Sequence, residues 1–137
     1  MELKDKSSIM KSLFKRKGEE GTFTKVIERD NENFYEKIYN KELKNNEKGV
    51  IICFFNENNW FLLTNLGIHI NNEISVFLAY SDIKEVRLAI EKEFENNITD
   101  KNFYSNLLLI DNNNKEYVLN IESGKPFWGI YQVLHFI

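Results

Sequence analysis

From residue 50 onward the chain reads as short apolar runs cut by clusters of Asn, Asp, Glu and Gly. Val50–Phe55 is continuously apolar, the pattern of a strand buried on both faces. Trp60–Thr64, Ile68–Ile70 and Glu73–Leu78 follow, separated by the polar groups at 56–59, 65–67 and 71–72. Ile83–Phe94 alternates, with Val86, Leu88 and Ile90 on one side and Arg87, Ala89 and Glu91 on the other. That period of two predicts one long strand, with Glu91, Glu93 and Glu95 along a solvated face. Tyr104–Ile110 and Tyr117–Ile121 bring the total to about seven strands, the last two joined at Asp111–Asn114, residues that tolerate left-handed turns.

Three other stretches follow a helical period. Phe127, Ile130, Tyr131, Leu134 and Ile137 recur behind Gly124, Lys125 and Pro126, so a closing helix is expected over 126–137, with Ser123 or Lys125 as its cap. Asp30 or Asn31 suits a helix start, and Phe34, Tyr35, Ile38, Tyr39 and Leu43 predict an amphipathic helix to about Asn45. Phe34, Ile38 and Leu43 are expected to pack on the sheet, with Tyr35 and Tyr39 bordering a groove. Near the N-terminus Ile9, Met10, Leu13 and Phe14 form one stripe among Lys4, Lys6, Lys11, Lys15, Arg16 and Lys17. A stripe of this kind either packs on the domain or serves a basic arm, carried by Lys11, Lys15, Arg16 and Lys17, that touches a membrane surface or a partner.

A chain of 137 residues fits one domain large enough to bury a core. Aromatic residues make up 14%, which favours strands. The net charge of −3 disfavours phosphate backbones, so nucleic acid is not an expected partner. The N-terminus lacks the apolar core of a secretory signal, and Cys53 is the single cysteine, inside an apolar run. A cytoplasmic location is expected.

The order of seven short antiparallel strands and one closing helix resembles the pleckstrin-homology-like fold, in its small bacterial branch and the related GRAM-type domains. Trp60–Ile70 resembles the second hairpin of that group, and Phe77–Val86 its entry into strand five. The resemblance covers residues 49–137 and implies a bent seven-stranded barrel or sandwich capped by the C-terminal helix. Residues 1–48 then form a helical extension packed on that domain. Within the resemblance, Gly67 supplies a positive-φ turn and Tyr80 covers the barrel end. The family implies binding rather than catalysis. Its phosphoinositide members use cations on the first hairpin, but Phe55–Trp60 here offers Glu57 and no cation.

Catalytic and metal signatures are sparse. His69 and His135 are the two histidines, and neither HExxH nor CxxC occurs. No phosphate loop or nucleophile elbow is present, and no cofactor is expected. Tyr35, Tyr39, Trp128 and Tyr131 are either core residues or the lining of a surface for a protein or peptide partner. The expected function is a non-catalytic interaction module. A cleft between the added helix and the barrel would instead suit an enzyme.

Overall fold

The computed structural model describes residues 6–39 and 43–137. Eight strands among them form two antiparallel sheets. The larger runs in chain order through β1 (Thr24–Val26), β2 (Gly49–Asn56), β3 (Asn59–Thr64), β4 (Gly67–Asn71) and β5 (Ser75–Ala79). The smaller holds β6 (Ile83–Leu88), β7 (Asn106–Asp111) and β8 (Glu116–Asn120). Four helices accompany them: α1 (Ser7–Lys17), α2 (Glu32–Tyr39), α3 (Ile90–Glu95) and α4 (Lys125–Phe136).

The expected strands 50–78 and 104–121 form as hairpins with shifts of a residue or two at their ends. β1 was not anticipated. It pairs with β2, Thr24 opposite Cys53 and Val26 opposite Ile51, so the segment before residue 49 contributes a strand as well as helices. Ile83–Phe94 is not one strand. Pairing with β7 ends at Leu88, and Ile90–Glu95 turns into α3, a run of good helix formers with acidic residues in its first turn. The solvated row of glutamates therefore does not exist: Glu93 is fully buried, while Glu91 and Glu95 are exposed.

Strand register explains the unbroken apolar run of β2. Ile51, Leu63, Ile68 and Leu78 stand side by side, as do Cys53, Phe61, Ile70 and Val76, and this face meets Leu107, Leu109, Tyr117 and Leu119 of the small sheet. Ile52, Leu62, His69 and Phe77 line up on the opposite face. There Ile27, Tyr39, Ile52, Trp60 and Leu62 make a second apolar cluster, with Tyr35, Ile38, Leu43 and Phe54 partly buried against it.

The main core is closed by α4, which buries Phe127, Ile130 and Leu134 as its spacing predicts. Gly124, at φ 92°, occupies its N-cap position without a side-chain cap, in place of Ser123 or Lys125. α1 lies against α4 through Met10, Leu13 and Phe14. The two chains approach so closely that a Cβ on Gly18 would stand 2.5 Å from Gly129 Cα. Gly67 also serves close packing rather than a positive-φ turn. A Cβ there would meet the Leu78 carbonyl oxygen at 2.3 Å, while Gly124 is the glycine with positive φ among the described residues.

Candidate functional site

Three carboxylates placed inside the fold are the first candidates for chemistry. Glu47 lies between α2 and β2, in the turn that returns the chain to the large sheet. Its Oε2 receives the Thr64 hydroxyl at 2.6 Å and stands 2.8 Å from His69 Nε2, and its Oε1 accepts the Lys44 amide at 3.1 Å. Burial pushes this carboxyl up, but the Thr64 hydroxyl, the His69 ring and the Lys44 amide outweigh it and hold the group below its ordinary value. An ionised carboxylate only accepts, so His69 carries its proton on Nε2. Thr64 Oγ1 in turn accepts the Leu66 and Gly67 amides, and its carbonyl takes the Tyr80 hydroxyl at 2.6 Å. Tyr80 thus ties the start of β6 to the end of β3.

Glu93 projects inward from α3, where Oε2 accepts the Ser105 amide at 2.8 Å and Oε1 the Asn106 side-chain amide at 2.7 Å. Glu122 follows β8 and accepts the backbone amides of Thr22, Phe23 and Thr24 within 3.0 Å, together with the Thr24 hydroxyl. These contacts tie the start of β1, in the large sheet, to the segment that leaves β8 of the small sheet. Cys53 lies opposite Thr24, and its thiol is pushed up chiefly by burial. Each carboxylate is occupied by backbone or side-chain donors of its own fold, the arrangement of a structural brace. Spacing could not reveal them, since their partners lie up to 100 residues away.

A cleft beside the added helix borders the sheet at Gly49, the start of β2, and otherwise lies outside it. It encloses about 590 Å³ between α2, the turn at 43–49 and α1. Charged residues dominate its lining, among them Glu28, Arg29, Glu32, Glu36 and Lys44. Burial, then the charges of Glu36 and Glu32, push the Tyr39 phenol up to about 12, so it keeps its proton and cannot act as a base near neutrality.

The four aromatic candidates do not form one surface. Tyr39 is 2% exposed and belongs to the second cluster, with Tyr35 half-buried beside it. Tyr39 is thus a core residue as well as part of the cleft wall. Phe34, expected on the sheet, is instead 64% exposed and edge-on to Tyr35, because the apolar side of α2 faces inward through Tyr35, Ile38 and Tyr39. The expected continuation of this helix through Lys41 lies partly outside the described residues, and Leu43–Asn45 are not helical. Trp128 and Tyr131 are half-buried on α4, where their rings meet edge-on at 5.4 Å and Tyr131 continues onto His135 at 4.2 Å.

That aromatic row leads to a groove between α4 and β6. β6 is hydrogen-bonded on one side only, to β7, and stands at the end of the small sheet. The space between it and α4 encloses about 200 Å³. Ile83, Val86, Leu134 and Ile137 give it an apolar floor, with Lys84 and His135 at the rim.

The basic candidates on α1 divide in the same way. Lys11 and Lys15 reach Glu28 at 3.6 and 3.1 Å, and Lys15 first, with burial opposing, holds that carboxyl below its ordinary value. Arg16 and Lys17 are exposed. With Met10, Leu13 and Phe14 packed in the core beside α4, and Ile9 of the expected stripe exposed instead, α1 is a docked helix carrying basic residues on its outer side. No helix among the described residues is long and apolar enough to cross a membrane. No group of three or more His, Cys, Asp or Glu side chains among them is placed to hold a metal ion. Comparison with family models, curated proteins and solved structures returned no match for this chain.

Proposed function

We propose that the protein is a non-catalytic interaction module of pleckstrin-homology-like build, and that it takes an extended peptide along the open edge of β6. The observation that carries this reading is the unpaired side of β6 beside an apolar groove walled by α4. An edge strand offers a row of backbone donors and acceptors, and a peptide that adds to it gains affinity from the main chain and specificity from alternate side chains. Ile83 and Val86 lie partly buried at that edge, ready to meet apolar side chains, while the exposed Lys84, Glu85 and Arg87 oppose indiscriminate pairing with other strands. The β2–β5 meander, the β6–β8 sheet and the closing α4 supply the pleckstrin-homology-like order, with β1 and α2 as additions at the outer side. Occupation of Glu47, Glu93 and Glu122 by their own fold supports binding over catalysis.

The test is selection of peptides on the full chain from a random displayed library, followed by amide chemical-shift mapping. Selected peptides are expected to move residues 83–88 and the last turns of α4, and to lose affinity in Ile83→Lys. Peptides that map elsewhere, or that bind Ile83→Lys unchanged, would overturn the assignment.

A further inference from the structure

Independently of the β6 edge, the face of the large sheet that turns away from the main core carries a second cavity. Among the described residues, α2 and Leu43 pack against Ile52, Trp60 and Leu62 on this face, while His69 of β4 is buried and Phe77 of β5 half-buried beside it. Register places Trp60, Asn71 and Ser75 side by side on β3, β4 and β5, and His69 beside Phe77 on the next row. These five side chains and Lys44, from the turn after α2, surround about 220 Å³. The volume is below the ~300–1,000 Å³ of sites for drug-sized ligands, so its occupant is small.

The walls are aromatic. His69 and Phe77 lie 4.6 Å apart, and the Lys44 ammonium stands 5.0 Å above the Phe77 ring. The cavity mixes engaged and open polar groups: His69 is bonded to Glu47, whereas Lys44 and Ser75 are exposed and Asn71 is half-buried. Glu47, Glu93, Glu122, Asn65 and Asn106 are all bonded to their own fold. Among the described residues, by contrast, the Trp60 indole N–H, the Asn71 amide, the Ser75 hydroxyl and the Lys44 ammonium have no hydrogen-bond partner within the protein. Trp60 is 6% exposed, and its side chain lines the cavity. A Trp N–H is a donor only, and an ammonium is a donor only. Glu47 is already bound by Thr64 and His69, and among the described residues no ion pair joins a carboxylate to Lys44.

We infer that this cavity binds a small aromatic monocarboxylate, with its ring against Phe77 and Trp60 and its carboxylate taken by Lys44 with help from the neighbouring N–H and O–H donors. One cation matches one negative charge, and a flat ring matches walls already set for stacking and edge contacts. Lys44 leaves its place over Phe77 only by as much as the incoming carboxylate attracts it.

Titration of the full-length, nitrogen-labelled protein with benzoate tests this, using benzamide as the neutral isostere. The two indole N–H resonances give an internal comparison, since Trp128 lies on α4, outside the cavity. Benzoate is expected to move the Trp60 resonance saturably and to leave Trp128 in place. Benzamide and the exposed-site variant Lys44→Gln are each expected to weaken binding by about tenfold or more, the scale of one lost charge-assisted hydrogen bond. Absence of a saturable Trp60 shift would overturn the inference, as would equal affinity for benzamide or full affinity in Lys44→Gln.

Discussion

The two faces of the five-stranded sheet are covered in different ways. The inner face meets a second sheet and two helices, and large side chains such as Phe14, Phe61 and Phe127 are sealed there completely. On the outer face Ile52, Trp60 and Leu62 of the sheet meet Ile27, just after β1, and Tyr39 of one short helix, and the turn beside them is fastened by Glu47 to Thr64 and His69. Shape complementarity holds the first interface. The second has too little apolar area to hold itself and relies on a polar brace. Cooperative stability should therefore reside in the inner face, while the outer layer should open on its own at lower free energy.

Phe127→Ala should have the largest effect, about 3–5 kcal/mol by chemical denaturation, and should lower the transition of every probe together. A loss confined to α4 would break the distinction. Gly129→Ala should come next at about 1–3 kcal/mol, because its Cβ would stand 2.7 Å from the Phe14 ring and 3.0 Å from Gly18 Cα. Near-wild-type stability in that variant would show that α1 yields easily.

Glu47→Ala should cost about 1–3 kcal/mol, since Thr64 and His69 lose a charged acceptor. Hydrogen exchange should accelerate in the turn and α2 well before β7 or β8; uniform acceleration would merge the two layers into one unit. Acid should mimic the variant. The folded carboxyl, with its hydrogen bonds outweighing desolvation, sits below its ordinary 4.5, so its contribution is complete above that value and fades as pH falls through the lower folded one. Phe34→Ser should change stability by no more than about 0.5 kcal/mol, because the ring is 64% exposed. A large loss there would extend the outer layer beyond the cluster described.

Sequence periodicity read the inner layer better than the outer one. The hairpins of β2 to β5 and the buried side of α4 follow from local alternation and helical spacing, which need no knowledge of partners. β1 is three residues long, too short for its alternation to stand out, although Thr24 and Val26 do face inward. The break at Ala89 was hidden because Leu88 and Ile90 continue the period of two across the junction, while the helix-forming run 90–95 argued the other way. Phe34 and Tyr39 exchanged roles because the inward side of α2 runs through Tyr35, Ile38 and Tyr39, and Leu43–Asn45 do not continue a helical stripe. His69 sits between Ile68 and Ile70 on an alternating strand, a pattern that names no partner, and Glu47, brought to it by the fold, makes it an interior histidine. The groove at β6 depends on which edge remains unpaired, and that is a property of topology.

The Glu122 clamp carries a consequence for the order of events on the ribosome. The amides it secures belong to residues 22–24, made about a hundred residues earlier. α1 likewise rests on α4, which is synthesised about a hundred residues after it. The nascent chain can thus assemble its β2–β5 meander through local contacts, but residues 7–24 have no final docking place until Glu122 and α4 have been made. High sequence separation of this kind slows closure and leaves an interval in which an apolar helix and a bare strand edge are exposed. The charges that surround the stripe of α1, and the carboxylate that waits at residue 122, bear on how safely that interval is crossed as much as on how firmly the finished fold is held.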